Sequence, residues 1–231
     1  MEKHLYSDGD TALTGLVYRP SGSPRAAVAV YPSIMNQGGS VLDKARALAD
    51  AGYLALVADF YGKQPESFEQ SREFAGGIRA TPQDFRRRIR AAIRALVSLP
   101  GADGLPIAAI GFCMGGHAVL ELAREGAPLA AVVSFHGLLG TDLAAEPGKV
   151  SARILVCHGD ADPMAPRSQV VAFWEEMDQA GANWHFHSYS GVKHGFTNPV
   201  PAPGNPAVAY DASADRQSWA AMHALFEEVF G

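Results

Sequence analysis

Residues 106–123 read Pro-Ile-Ala-Ala-Ile-Gly-Phe-Cys-Met-Gly-Gly-His-Ala-Val-Leu-Glu-Leu-Ala, and this stretch decides the fold. The apolar run from Pro106 to Gly111 predicts a buried strand, and the pattern from Ala118 to Ala123 predicts a helix. Cys113 lies in the turn between them, within a Gly-x-Cys-x-Gly motif. A nucleophile on such a sharp turn needs small neighbours, because larger side chains would collide with the adjoining strand and helix. The motif therefore predicts a nucleophilic cysteine.

The place of Cys113 also bears on its reactivity. At the start of a helix the thiol lies near the positive end of the helix dipole, which lowers the pKa of a thiol and enriches the nucleophilic thiolate. The backbone amide of Met114 is expected to face the same pocket and to serve as an oxyanion donor. The plainer interpretation is a buried cysteine beside packing glycines, but that interpretation does not require the order strand, turn, helix.

Strand and helix patterns alternate on both sides of this motif. Apolar runs predict strands at 26–31, 53–59, 106–111, 129–135, 154–158 and 184–189. Helical spacing predicts helices at 42–51 and 85–97, near Val119, near Phe173, and at the end of the chain around Phe226. Such alternation predicts an α/β fold, with a mostly parallel sheet flanked by helices on both faces and an antiparallel edge before residue 26. Prolines at 199, 201, 203 and 206 predict an extended surface loop before the last helix.

Composition limits the classes of function. The chain has 231 residues and 48% hydrophobic composition, which is compatible with a single domain over 1–231. A net charge of −5 gives no basic surface for nucleic acid. The chain begins without a signal-peptide core and has no run of about 18 apolar residues, so no membrane partner is expected. Two cysteines make no disulfide framework. We expect a cytoplasmic monomer or small homo-oligomer.

Two later loops supply a predicted acid and base. A nucleophile on a sharp strand-to-helix turn is typical of the α/β-hydrolase fold, which places its nucleophile, acid and histidine in that order along the chain. The polar loop 158–163 follows a predicted strand and contains Asp160 and Asp162. Asp162 is preferred, because an aspartate in the immediate turn, such as Asp160, commonly binds local backbone amides. His194 lies between glycines in the loop after the strand at 184–189 and is the predicted base.

Further residues are predicted around these three. The loop after the strand that ends at Tyr31 should provide a second oxyanion donor, and Ile34 is chosen because Pro32, at the start of that loop, has no amide hydrogen. Predicted substrate contacts are Ser33, Tyr61, His136 and Phe196. A packing role, without contact to substrate, is the alternative for His136. Cys157 ends an apolar strand and is predicted to be a buried small hydrophobe.

Two histidines and a cluster of arginines raise the possibility of a metal site and of a site for anionic substrates. His185 and His187 share one face of a predicted strand, which is a possible metal-ligand spacing, but no third ligand is evident, so neither metal nor cofactor is expected. The arginines at 86, 87, 88, 90 and 94 lie on a predicted amphipathic helix. A solvated helix face is favoured there over a site for anionic substrates.

The chain resembles the dienelactone hydrolase family in several stretches. They are Gly111–Gly116, Gly191–His194, His158–Pro163, and Ala51–Tyr53 with Asp59–Gly62, so the resemblance covers nearly the whole chain. It implies an α/β-hydrolase fold without a large cap domain, and the connection of about 16 residues after His136 agrees. The resemblance also implies a Cys-Asp-His triad, carried onto Cys113, Asp162 and His194.

Two positions depart from the best-known members of that family. Ser33 stands where those members have a glutamate beside the thiol, and Thr197 and Asn198 stand where they have an arginine for the substrate carboxylate. The resemblance implies cleavage of a small ester or lactone, of the carboxymethylenebutenolidase type, through an acyl-enzyme. A thioesterase or general carboxylesterase is the nearest alternative. A noncatalytic ligand-binding or redox-sensing protein that uses Cys113 is a further alternative.

Overall fold

The structure is a computed structural model that describes residues 1–200 and 205–231. The chain forms two compact units, Met1–Ala109 and Ile110–Gly231. Pro201 and Pro203 of the predicted proline-rich loop lie outside the described residues. Within the described ranges, no helix combines the length and the hydropathy that a membrane span requires. The assignment of 1–231 to one domain stays a prediction.

The first unit is built on strands β1 (Glu2–Asp8), β2 (Thr11–Tyr18), β3 (Ala27–Tyr31) and β4 (Leu54–Val57), in the order β1-β2-β4-β3. The first two strands pair antiparallel, which confirms the predicted edge, whereas β3 and β4 pair parallel. Every residue of β3 and β4 is buried. Continuous apolar strands of this kind are typical of a sheet that is covered on both faces.

The helices of the first unit are α1 (Gly39–Asp50), α2 (Phe68–Ile78) and α3 (Pro82–Val97). Helix α2 was not predicted, although the side chain of Ser67 caps it by accepting the amide of Gln70. The arginines of α3 are less solvated than predicted. Arg87 and Arg88 each donate an Nε hydrogen to the buried carboxylate of Asp8, at 2.9 and 2.8 Å, so this part of the cluster anchors β1 to α3.

The second unit contains strands β6 (Ala131–Phe135), β7 (Arg153–Gly159) and β8 (Trp184–Tyr189), with β5 (Ile107–Phe112) crossing the boundary between the units. The order is β5-β6-β7-β8, and β6, β7 and β8 pair parallel. The carboxyl ends of these parallel strands therefore meet at one edge, where ligands bind in open α/β sheets. The helices are α4 (Met114–Arg124), α5 (Arg167–Ala180) and α6 (Ala212–Phe230).

A buried ion network holds α4 in place. The guanidinium of Arg124 is fully buried and donates to Glu121 on its own helix, to both carboxylate oxygens of Glu176 on α5, and to the carbonyl oxygen of Leu139. A buried charge is tolerated only when it is paired and hydrogen-bonded in this way. The network fixes the helix whose first residue follows Cys113.

Candidate active site

Cys113 occupies a strained turn between β5 and α4. Its backbone has φ 56° and ψ −115°, a conformation that non-glycine residues rarely adopt and that costs on the order of 1–3 kcal/mol. The Cys113 amide donates to the carbonyl oxygen of Phe135 and to Nδ1 of His136, both at 3.1 Å. The side chain is partly exposed. The turn thus presents a thiol on a backbone that is held from several directions.

Gly111 permits this turn, as the motif indicated. A Cβ atom at Gly111 would lie 1.9 Å from the carbonyl oxygen of Gly115. Met114 begins α4, so its amide is one of the helix-terminal donors without an intrahelical acceptor. The Met114 side chain is buried, whereas its amide lies directly after Cys113. This arrangement suits the amide to receive a developing negative charge.

The two candidate aspartates after β7 have different partners. Asp162 is 2% exposed, and its Oδ2 lies 2.7 Å from Nδ1 of His194, while its Oδ1 accepts the amide of Met164 at 2.8 Å. Asp160 instead binds the exposed guanidinium of Arg167, at 2.8 and 2.6 Å. The structure therefore brings Asp162, and not Asp160, to the predicted base.

The loop that carries His194 is fixed through its main chain. The amide of His194 donates to the carbonyl oxygen of Ala207, and the carbonyl oxygen of His194 accepts the amide of Ala209, both at 3.2 Å. Gly159 at the end of β7 lies against the same loop, where an added Cβ would come within 2.5 Å of the carbonyl oxygen of Val192. This close approach brings the Asp162 loop and the His194 loop together.

The electrostatic surroundings of His194 favour its protonated form. Burial by itself lowers the pKa of this ring, but the charge of Cys113 and the hydrogen bond with Asp162 raise the pKa to about 10. Nδ1 is engaged by Asp162, and the buried Nε2 lacks a well-formed hydrogen bond to the described residues. His194 therefore has one anchored nitrogen and one nitrogen available for proton transfer.

The other cysteine has the opposite character. Cys157 lies within β7 and is fully buried. Burial raises the pKa of its thiol to about 12, so Cys157 stays protonated at neutral pH. This agrees with the predicted small hydrophobe, because a thiol in apolar surroundings is neither a ready nucleophile nor a ready metal ligand.

His136 and Phe196, both predicted to contact substrate, lie within the second unit beside these groups. His136 is 3% exposed, and its Nε2 is 2.8 Å from Oγ1 of Thr197. Phe196 is fully buried and meets the His136 ring edge-on at 5.2 Å between centroids. Sequence reasoning missed the link between His136 and Thr197, because the two residues are 61 positions apart and neither carries a local signal.

The predicted residues of the first unit form a loop of their own. Ser33 accepts the amide of Met35 on its hydroxyl at 3.2 Å, and its carbonyl oxygen accepts the amide of Asn36 at 3.0 Å, which makes a tight turn. The hydroxyl of Tyr61 donates to the carbonyl oxygen of Ile34 at 3.1 Å. Tyr61 thus supports the Ile34 peptide. The pairing of the Ile34 amide with that of Met114 stays a prediction.

Asp59 organises this loop and was not predicted to do so. Its carboxylate accepts hydrogen bonds from the side chain of Asn36 and from the amides of Thr14, Tyr61 and Gly62, at 2.9 to 3.0 Å. Asn36 is buried and has φ 56°. Because the Asp59 carboxylate binds the Asn36 side chain together with three main-chain amides, it stabilises the left-handed conformation of Asn36 and fixes the shape of the loop.

The pair of histidines on β8 stays exposed. His185 and His187 share the outer face of this strand. Within residues 1–200 and 205–231, no group of three His, Cys, Asp or Glu side chains is placed to hold a metal ion.

Comparisons with known proteins show which family this chain matches. The chain matches the model of the dienelactone hydrolase family over residues 13–230. It is 29% identical over 218 residues to a Bradyrhizobium protein named as a probable 2-oxo-3-(5-oxofuran-2-ylidene)propanoate lactonase, and the match covers 89% of this chain and 87% of the relative.

Two solved structures are similar over the full chain. The protein m3DLH has a TM-score of 0.94 at 36% identity, with 100% of this chain and 98% of that chain covered. A dienelactone hydrolase-like promiscuous phosphotriesterase from metagenomic libraries has a TM-score of 0.93 at 37% identity, with the same coverage. These similarities confirm the predicted α/β-hydrolase fold, a mostly parallel sheet with helices and, in the described part of the chain, no large cap domain. The chain belongs to the dienelactone hydrolase family and is a hydrolase.

Proposed function

We propose that this protein hydrolyses small carboxylic esters or lactones with Cys113 as nucleophile, His194 as general acid and base, and Asp162 as the group that orients His194. The observation that carries the proposal is the buried pair of His194 and Asp162, 2.7 Å apart, in which the charge of Cys113 also acts on the His194 ring. The order of the three residues along the chain is the order of the fold's catalytic residues.

The raised pKa of His194 bears on the resting state. A histidine that keeps its proton up to about pH 10 stands beside Cys113 as an imidazolium at neutral pH, and its positive charge stabilises the thiolate. The nucleophile is then formed before substrate arrives. This supports cysteine chemistry, because no separate step is needed to remove the thiol proton.

The reaction follows from this arrangement. The Cys113 sulfur attacks the carbonyl carbon, and the carbonyl electron pair moves to oxygen, where the amide of Met114 donates to the oxyanion. When the carbonyl re-forms, the alkoxide leaves and takes the proton from Nε2 of His194, which leaves a thioester on Cys113. Water then attacks the carbonyl carbon of this thioester while His194 takes a proton from the water. The bond to sulfur breaks, which regenerates the Cys113 thiolate and releases the carboxylic acid product.

The substrate class rests on the relatives as well as on the site. The Bradyrhizobium relative is named as a lactonase, which supports lactones as the first substrates to test. Phosphotriesters form a second candidate class, because the metagenomic structure that shares 37% identity is named as a promiscuous phosphotriesterase. Thioesters remain the third class, since the proposed acyl-enzyme is itself a thioester.

The test is hydrolysis of p-nitrophenyl acetate, a simple lactone, an enol-lactone bearing a carboxylate, an acyl thioester and a phosphotriester. Wild type is compared with Cys113→Ala and with Cys157→Ala, which removes the only other cysteine of the chain. We expect loss of nearly all turnover in Cys113→Ala and retained turnover in Cys157→Ala. Mass spectrometry of quenched wild type should show an acyl group on Cys113.

The opposite results are equally definite. Equal turnover in wild type and Cys113→Ala would refute the nucleophile. If wild type hydrolyses no member of the panel, the result favours the two noncatalytic hypotheses, which are ligand binding and reversible oxidation of Cys113. Equal ligand affinity in wild type and Cys113→Ala would then favour binding, and a sulfenic acid on Cys113 after mild peroxide would favour sensing.

A further inference from the structure

We propose that His136 is a positioning residue that ties the Cys113 turn to the loop carrying His194, a role that rests on the proposed function of Cys113. The contacts of the His136 ring define this role. Nδ1 accepts the Cys113 amide at 3.1 Å, and Nε2 lies 2.8 Å from the hydroxyl oxygen of Thr197. Thr197 follows His194 by three positions in the same loop.

The hydrogen bonds determine the state of the ring. An amide hydrogen needs a lone pair on Nδ1, so His136 is neutral and carries its proton on Nε2. That proton is then donated to Oγ1 of Thr197. Nδ1 thus accepts a hydrogen bond and Nε2 donates one, which fixes the tautomer and the orientation of the ring. His136 is thus unsuited to be a second general base, because Nδ1 already accepts a main-chain amide.

The surroundings show why a histidine fits between these two segments. His136 itself has φ 42°, and the ring lies edge-on to His194 at 5.2 Å between centroids. Close packing of two glycines allows the approach, because a Cβ at Gly116 would come within 2.7 Å of Cα of Gly137. Helix α4 and the main chain after His136 are therefore in direct contact. The ring spans the remaining distance to Thr197.

The proposed effect is on the alignment of the nucleophile with the base. The strained turn of Cys113 is held partly by the bond from its amide to His136, and His136 is held by Thr197. Loss of either bond lets the Cys113 turn and the His194 loop move independently. A displacement of about 1 Å can cost about 100-fold in rate, so the acylation step should respond strongly while substrate binding responds little.

Matched variants separate the two hydrogen bonds. Thr197→Val removes the hydroxyl at nearly the same shape, and Thr197→Ser keeps the hydroxyl. His136→Leu removes both bonds, whereas His136→Asn keeps an acceptor near the position of Nδ1 and tolerates the positive φ. The readout is the single-turnover acylation rate with p-nitrophenyl acetate per molecule of Cys113 that iodoacetamide can titrate, so that misfolded protein is not counted.

We expect the acylation rate of His136→Leu to fall about 100-fold and that of Thr197→Val about 10-fold, with KM within about threefold of wild type. Thr197→Ser should keep the wild-type rate, and His136→Asn should exceed His136→Leu. A lower melting temperature with an unchanged rate per titrated Cys113 would overturn the proposal, because it would leave His136 a purely structural role. If His136→Leu fails to fold, the comparison of Thr197→Val with Thr197→Ser decides.

The proposed function and this inference fail differently. Full activity in Cys113→Ala would remove both, since His136 would then have no nucleophile to position. Loss of activity in Cys113→Ala together with wild-type acylation in Thr197→Val and His136→Leu would remove only the role of His136.

Discussion

Asp162→Asn tests the orienting carboxylate directly. The variant keeps the size of the side chain but removes the negative charge that faces Nδ1 of His194 at 2.7 Å. Asp162 and His194 are 2% and 4% exposed, so solvent screens this hydrogen bond little. A hydrogen bond to a charged group contributes about 1.5–3 kcal/mol. At 1.36 kcal/mol for each factor of ten, kcat/KM should fall about 10- to 160-fold.

The neighbouring Asp160 provides the control. Asp160→Asn makes the same chemical change two positions earlier in the same loop, but this carboxylate binds the exposed Arg167. Exposed ion pairs contribute little, so kcat/KM should stay within about twofold of wild type. The assay is hydrolysis of p-nitrophenyl acetate at pH 7 by both variants. Wild-type kcat/KM in Asp162→Asn, or an equal loss in the two variants, would refute the assignment of Asp162.

The same variant has a predictable effect on stability. The pKa of His194 is raised in the folded protein to about 10, so its contribution to stability is fully present below the unfolded pKa of about 6.5 and is lost as the pH rises through 10. Asp162→Asn removes one cause of that shift. Urea unfolding should therefore show Asp162→Asn less stable than wild type near pH 6, with the difference shrinking as the pH rises toward 10. A difference that grows over this range would contradict the reasoning.

Three further predictions concern the framework of the site. Gly159→Ala should lower both kcat and the melting temperature, because its Cβ would press within 2.5 Å of the carbonyl oxygen of Val192, and a wild-type kcat would contradict this. His158→Phe should be neutral or stabilising in urea unfolding, since neither buried ring nitrogen has a partner in the described part of the chain. Burial lowers the pKa of His158, so wild type loses stability as the pH falls below about 6.5, and a variant with the same acid slope would be evidence against this account. Arg124→Ala should cost about 3–5 kcal/mol in the free energy of unfolding, because it removes the fully buried guanidinium that pairs with both Glu121 and Glu176. A loss below about 1 kcal/mol would show that this ion network contributes little to stability.

The parts of the fold and site that were predictable have local signals. The turn at Cys113 follows from glycines within two or three positions of it, and the strands of the second unit follow from continuous apolar runs. The preference for Asp162 over Asp160 came from distance along one loop; in the structure the Asp162 carboxylate contacts His194, and its catalytic role stays a proposal. In each case the deciding neighbours are close in sequence.

What the sequence did not predict depends on contacts between distant segments. His136 was a candidate for substrate contact, but its ring binds Thr197, and nothing near either residue indicates the other. The prediction of a solvated arginine face was wrong in part, because the side chain of Arg88 is 12% exposed and binds Asp8, which is 80 positions away. Helix α2 was overlooked although Ser67 and Gln70 form a capping signal, because its apolar residues are too few for a clear period.

The anchor between Asp8 and the arginines of α3 has a practical consequence for anyone who shortens this protein. Residues 2–8 look dispensable as an outer strand, yet Asp8 is 3% exposed and supplies the carboxylate for Arg87 and Arg88. A gene that starts at Thr11 would leave Arg88 without that carboxylate and would turn β2 into an unprotected sheet edge, which invites association between chains. A shortened form of the protein should therefore retain the first eight residues.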